Sequence, residues 1–252
     1  MRDLPTTTAA DLALYAYRTN ADQSELAWSQ WLESTLNSQG WNDVQTFHFD
    51  DHEVFLASKD AQTVVVFRGS DRLPDWINNT CPRRIKWDNG AQVHFGYSLA
   101  LAGFENILLP KIAAAYAHND IHFVGHSKGG ALACLTALRC TDVGACKPAS
   151  VTTFGAPRCL DHLGARMLET MTLGTVRRFV NTFDPVPQAW WSTGFKHAGT
   201  ELYFDRERML RSNPGWWWKM WDRWQAWYAS SDTSQVHSMA TYRRLVHGAA
   251  QR

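Results

Sequence analysis

Short apolar runs alternate with longer stretches of helical periodicity along most of the chain. Thr63–Phe67, Ile121–Val124, Ser150–Phe154, Val176–Val180 and Thr200–Phe204 read as strands, the first a continuous apolar run expected of a buried central strand. Val44–Phe49 and Val54–Ser58 read as a hairpin around Asp50-Asp51. Helical spacing covers Thr8–Thr19, with Thr8 as its cap, and Leu26–Gln39, where Trp28, Trp31, Leu32 and Leu36 share a side and Gly40 is the stop. Leu73–Asn89 reads as a loop. Val93–Tyr97 leads into one helix over Leu99–Tyr116, with Pro110 as its bend or break. Further helices follow Ser127, cover Leu160–Met171, and close the chain over Met239–Leu245. This alternation predicts an α/β fold, a three-layer sandwich with a mostly parallel central sheet, built as one domain over residues 1–252. Such sheets place ligands at the carboxyl ends of their strands, where Ser70, Ser127, Pro157 and Asp184 all fall.

The sharpest boundary lies in Ile121–Leu138, IHFVGHSKGGALACLTAL, where a strand meets a helix within a few residues. The turn Gly125-His126-Ser127-Lys128-Gly129 is an instance of G-x-S-x-G. A reversal that sharp leaves no room for side chains beside the central one, so glycines two before and two after the serine are a steric requirement. Ser127 then projects from the turn, with helix amides behind it facing any negative charge that forms there. A nucleophilic serine needs a base, and the base an orienting carboxylate. Asp184 follows a strand in a loop fixed by Pro185 and Pro187, and takes the orienting role; Asp161 reads instead as a helix cap. Among the downstream histidines, His197 leads into a strand. His237 follows a polar loop and precedes a helix, which lets the loop deliver its ring over the sheet, and is the candidate base. His126 points away from a sharp turn and reads as packing.

Composition narrows the function classes. Hydrophobic residues at 45% and charged residues at 19% describe an ordered globular chain, and a formal charge of +1 without a basic stripe argues against nucleic-acid binding. Five cysteines leave at least one unpaired within a chain, and only Cys140 and Cys146 are spaced for a loop disulfide. The start of the chain lacks a basic region followed by a continuous apolar run, and no run of eighteen apolar residues offers a membrane span. The expectation is a cytoplasmic protein, with export without a cleaved signal as the alternative. No H-e-x-x-H or comparable ligand cluster is present, so neither metal nor cofactor is expected.

Phe67-Arg68-Gly69-Ser70, Gly125-His126-Ser127-Lys128-Gly129-Gly130, Phe154-Gly155-Ala156-Pro157-Arg158 and Asn181–Pro187, followed by a late histidine before a helix, occur in that order. The set resembles the class 3 lipase family over roughly Val64–Leu245. That resemblance implies an α/β-hydrolase fold and a lipase, whether on triacylglycerols or phospholipids, using Ser127 as nucleophile, His237 as base and Asp184 as orienter. It also implies an oxyanion hole from the backbone of Ser70 and Lys128. A thioesterase or esterase on small soluble substrates, and a non-catalytic binding protein on the same fold, are the alternatives. Three features depart from the family. Lys128 stands where leucine is common, and a cation there would favour anionic substrates; Lys128→Leu then changes the ratio of anionic to neutral ester hydrolysis, and an unchanged ratio contradicts this. The segment after Ser70 lacks the amphipathic character of a lid. Pro214–Tyr228, PGWWWKMWDRWQAWY, is dense in tryptophan.

In that last stretch Trp217, Met220, Trp221, Trp224 and Trp227 or Tyr228 share one helical side, and Lys219, Asp222, Arg223 and Gln225 the other. A core helix or a homodimer interface would look this way. So would a cap over the cleft, with 205–232 as an insertion, or a surface that settles on lipid, since helices with tryptophan and basic residues sit at membrane interfaces. Trp217, Trp221 and Trp224 are the candidate residues for substrate or interface contact.

Overall fold

The computed structural model describes residues 3–17, 24–49, 52–70, 83–189, 193–229 and 235–252, with the side chains of 227–229 outside that description. Helices α1 (Thr6–Tyr15) and α2 (Glu25–Ser38) precede strands β1 (Asn42–Phe49), β2 (His52–Lys59) and β3 (Gln62–Phe67). A small ribbon of β4 (Arg84–Lys86) and β5 (Gln92–His94) leads into α3 (Phe95–Ala102) and α4 (Glu105–Tyr116). Then β6 (Asp120–His126), α5 (Lys128–Asp142), β7 (Ser150–Phe154), α6 (His162–Met171) and β8 (Val176–Asn181) follow. The chain ends with β9 (Thr200–Phe204), β10 (Leu210–Ser212), α7 (Trp216–Ala229) and α8 (Met239–Ala250).

Eight strands form one sheet in the order β1-β2-β3-β6-β7-β8-β9-β10. Strands β3, β6, β7, β8 and β9 are mutually parallel, while the pairings β1–β2, β2–β3 and β9–β10 at the two ends are antiparallel. Strand alternation divides the core. Val65, Phe67, Ile121, Phe123 and Val151 meet α3, α4, α5 and α6 on one face. Val64, Val66, Val124, Phe154, Phe179 and Phe204 meet α1, α2 and α8 on the other. Two faces that are both covered explain why these strands read as continuous apolar runs. The ion pairs of Asp11 with Arg243 (2.5 Å) and His247 (2.9 Å) tie α8 to α1 at the rim of the second face.

Several boundaries differ from expectation. Helix α1 starts at Thr6, behind an extended Pro5, so Thr8 is inside it and caps nothing. Ser24 is the side-chain cap of α2, and Gly40 takes the positive φ of 81° that ends it. The single helix expected over 99–116 is two, bent by 73° at Gly103-Phe104, with Pro110 carried inside α4. Buried Phe104 docks beside Phe49 and Phe67, and that anchoring sets the break. Helix α8 runs five residues past its predicted end at Leu245 because Val246 still faces the core. The short edge strands β4, β5 and β10 lie in stretches without apolar alternation. Cys140 and Cys146 are free thiols that hydrogen-bond one another rather than a disulfide, and Cys134 and Cys159 are likewise free neighbours. The predicted turn at Asp50-Asp51 and most of the loop after Ser70 lie outside the described residues. Among the described residues no single helix is long and apolar enough to cross a membrane.

Candidate active site

Strand β6 ends at His126, and α5 begins at Lys128, so Ser127 alone makes the turn, with φ 56° and ψ −128°. The glycines around it have no alternative. A Cβ on Gly125 would stand 2.2 Å from the carbonyl oxygen of Gly129, and one on Gly129 would stand 2.3 Å from that of Phe67. The close approach of Gly129 to β3 also fixes the Arg68-Gly69-Ser70 segment beside the serine, since a Cβ on Gly69 would lie 2.9 Å from Ser127 Cβ. Gly69, next to Ser70 in the chain, and the start of α5 at Lys128 therefore both flank Ser127, although Gly69 and Ser127 are far apart in sequence. The Lys128 side chain is buried.

Asp184 is buried at the end of β8. Its Oδ2 accepts hydrogen bonds from His237 Nδ1 at 2.6 Å and Tyr242 Oη at 2.7 Å, and its Oδ1 accepts from the Val186 amide at 2.9 Å. With Nδ1 committed to the carboxylate as a donor, His237 Nε2 is the ring's acceptor. Ser127 Oγ and His237 Nε2 are both buried with no hydrogen-bond partner. Gly155 packs against the Asp184–His237 pair: at φ 56°, any Cβ there would come within 2.7 Å of Asp184 Oδ2 and 3.0 Å of His237 Cε1. The structure thus gathers Ser70, Ser127, Lys128, Asp184 and His237 at the carboxyl ends of β3, β6 and β8. Trp217, Trp221 and Trp224 lie apart, on the outer side of α7.

The loop carrying His237 is held at two further points. Asn181 Nδ2 donates to the Val236 carbonyl at 3.0 Å, and His126 Nε2 reaches the His237 carbonyl at 2.7 Å. A carbonyl only accepts, so His126 carries its proton on Nε2, and its Nδ1 accepts the Tyr17 hydroxyl at 2.5 Å. Burial pushes the His126 pKa well below the usual histidine value and keeps this ring neutral. His126 is thus more than packing. Tyr17 also lies under the Arg68 guanidinium, 5.4 Å from it, and Arg68 pairs with buried Glu53 at 2.6 Å. On the acid side, Arg158 donates to the carbonyls of Pro187 (3.1 Å) and Ala189 (3.3 Å), and His197 bonds Pro187 O at 2.8 Å. His197 accordingly braces the acid loop rather than reaching Asp184. Asp161 caps α6, accepting from the Gly164 amide at 2.8 Å.

Sequence reasoning passed over Tyr242, Tyr17 and Asn181 as site residues. Asn181 lies within the N-x-x-D segment and was within reach of that signal. Tyr242 and Tyr17 sit at apolar positions of helical stretches, where nothing separates a tyrosine that packs from one whose hydroxyl has a task. Among the described residues no three His, Cys, Asp or Glu side chains group as a metal ion requires.

The five parallel strands, the helices on both faces and a serine at a strand-to-helix elbow define an α/β-hydrolase fold. A family model described as Lipase (class 3) matches residues 64–192, just over half of the chain, and the protein belongs to that family. It is 27% identical over 157 residues to the secreted mono- and diacylglycerol lipase 2 of Gibberella zeae, covering 57% of this chain and 37% of that protein. It is 31% identical over 155 residues to lipase A of Sodiomyces alcalophilus, covering 53% and 36%. The chain therefore matches little more than a third of the length of these curated relatives. Among solved structures, lipase II from Rhizopus niveus superposes with a TM-score of 0.64 at 23% identity, over 79% of this chain and 78% of that one. His237, Tyr242, Tyr17 and α7 all lie outside the residues the family model matches.

Proposed function

We propose that the protein is a serine ester hydrolase acting on lipid esters, with acylglycerols as the first substrate class. The observation that carries this reading is the Asp184–His237 hydrogen bond, which leaves His237 Nε2, like Ser127 Oγ at the elbow, buried and without a hydrogen-bond partner. In this reading Ser127 Oγ attacks the ester carbonyl carbon while His237 Nε2 takes the hydroxyl proton. The carbonyl oxygen becomes an oxyanion received by the amides of Ser70 and Lys128, where each donor contributes about 3 kcal/mol in enzymes of this type. The C–O bond to the alcohol then breaks, and His237 returns the proton to the leaving oxygen. Water attacks the acyl-enzyme by the same route, His237 accepting its proton, and the carboxylic acid leaves as Ser127 is reprotonated. Asp184 holds the ring in its tautomer and stabilises the imidazolium.

The mono- and diacylglycerol specificity in the name of the Gibberella zeae relative supports acylglycerols. A panel of mono-, di- and triacylglycerols, phospholipids and soluble p-nitrophenyl esters tests the reading. The expected result is turnover of glycerides that disappears in Ser127→Ala; turnover of soluble esters or thioesters alone would move the substrate class, and no turnover by folded protein would remove the enzyme reading. That relative is also named as secreted, which favours export over a cytoplasmic place. Fractionation of producing cells, with the protein retained in the cytosol, would contradict export.

A further inference from the structure

Helix α7 turns its apolar side away from the protein. Trp217 is 80% exposed, and Trp216, Met220, Trp221 and Trp224 are exposed by 48% to 59%. The core-helix alternative is thereby overturned. The inner side is the polar one: Asp222 is buried and accepts from Thr182 Oγ1 at 2.7 Å and Tyr203 Oη at 3.2 Å, and Lys219 pairs with buried Glu201 at 2.9 Å. A helix that buries charge and exposes indoles is inverted relative to a helix of a soluble surface.

The neighbourhood states what such a face would meet. The turn between β9 and β10 flanks α7, with Arg206 over the Trp221 ring at 4.7 Å and Arg211 over Trp218 at 4.6 Å. Arg208 is exposed on the same turn, and Arg252 reaches Met209 Sδ at 2.6 Å from the end of α8. The acids of this edge are turned inward: Asp205, Asp222 and Glu201 are all buried, leaving Glu207 as the exposed acid of the turn. Arg206 pairs with Glu207 at 3.4 Å and Arg211 with Asp205 at 2.7 Å, so outwardly the patch is indole with Arg208 and Arg252 as the cations outside those pairs, on a chain whose overall formal charge is only +1. Self-association across a two-fold would set this cationic face against itself. Bilayer surfaces carrying anionic headgroups complement it, since indoles settle at headgroup depth and each nearby arginine adds attraction.

We propose that α7 and the β9–β10 turn form a docking face for an anionic lipid surface. Its use in catalysis rests on the ester-hydrolase reading; the docking itself does not. Thr182, bonded to Asp222, lies two residues before Asp184, so α7 alone separates the docked face from the acid loop.

The test uses the full chain as Ser127→Ala, so that hydrolysis cannot alter the membrane, co-sedimented with large vesicles of phosphatidylcholine or of phosphatidylcholine and phosphatidylglycerol at 7:3. Partitioning is expected to be about tenfold or more stronger on the anionic vesicles at low salt, and to fall as salt rises. Adding Trp217→Ala, Trp221→Ala and Trp224→Ala lowers binding to both vesicle types, while Arg208→Gln with Arg252→Gln removes only the anionic preference. Circular dichroism melts confirm that both sets fold. Equal partitioning of parent and tryptophan variant contradicts the proposal. So does a concentration-dependent dimer in sedimentation velocity that the tryptophan variant abolishes while vesicles bind neither protein. Soluble-ester turnover by the unaltered chain is measured beside it, so failure of the hydrolase reading and failure of docking are read separately.

Discussion

Ser127 occupies a backbone region, φ 56° with ψ −128°, that side chains larger than glycine's hydrogen rarely adopt, at a cost on the order of 1–3 kcal/mol. The packing of Gly125 and Gly129 against neighbouring carbonyls holds it there, which is the steric content of G-x-S-x-G and the reason the turn was readable from sequence. Gly155 is equally constrained but lay in a motif that announced no geometry. Gly155→Ala is expected to displace the Asp184 carboxylate and the His237 ring, lowering kcat/KM by about a hundredfold, the scale seen for misplacements of about 1 Å; a variant with near-normal kcat/KM would contradict the arrangement. Tyr242 Oη donates to Asp184 Oδ2 and accepts from the Asn181 amide at 3.1 Å. Hydrogen bonds to charged groups are worth roughly 1.5–3 kcal/mol, so Tyr242→Phe should cost about tenfold or more in kcat/KM. A change confined to KM would assign Tyr242 to substrate contact instead.

At the scale of elements, each candidate side chain owes its place to a strand end or to a neighbouring helix. Strand ends deliver Ser70, Ser127 and Asp184, and continuous apolar runs make those strands legible because both sheet faces are covered. His237 comes from a loop ahead of α8, and α8 docks through Tyr242 and Val246 on one side and Asp11 of α1 on the other. That long-range docking leaves no local signal, so the histidine was found by order along the chain rather than by structure. Periodicity also found both sides of α7 but not which side faces out. Asp222 decides that, because its carboxylate completes the hydroxyl pair of Thr182 and Tyr203, themselves 2.6 Å apart. Burial pushes the Tyr203 pKa up to about 12, so its phenol remains a donor across the working range. Asp222→Ala is expected to cost about 1–3 kcal/mol, read as a lower urea midpoint. An unchanged midpoint would mean that α7 is not anchored through this carboxylate.

For the whole molecule, the buried histidines His94, His122 and His126 and the half-buried His197 set an acid limit. Burial lowers His94 and His122 to about 4, and His126 and His197 well below the usual value, burial again being the largest cause. Unfolded, these rings take up protons near pH 6.5, whereas in the fold they remain neutral until much lower pH. Below 6.5 the unfolded state therefore binds more protons, so their stabilising contribution is complete above pH 6.5 and declines as pH falls toward 4. Urea midpoints should fall between pH 7 and 4.5, and His122→Gln should make that decline shallower while leaving His94, His126 and His197 in place. A flat midpoint over the window would show that these rings protonate in the folded state.

The central claim is that Ser127 is a nucleophile activated by His237. Covalent labelling with a fluorophosphonate probe tests it most directly, because the probe reports attack by Oγ without requiring the natural ester. Stoichiometric labelling is expected for the intact protein, none for Ser127→Ala, and a rate reduced by orders of magnitude for His237→Ala. Folded protein that fails to label, or that labels equally in Ser127→Ala, would contradict the account.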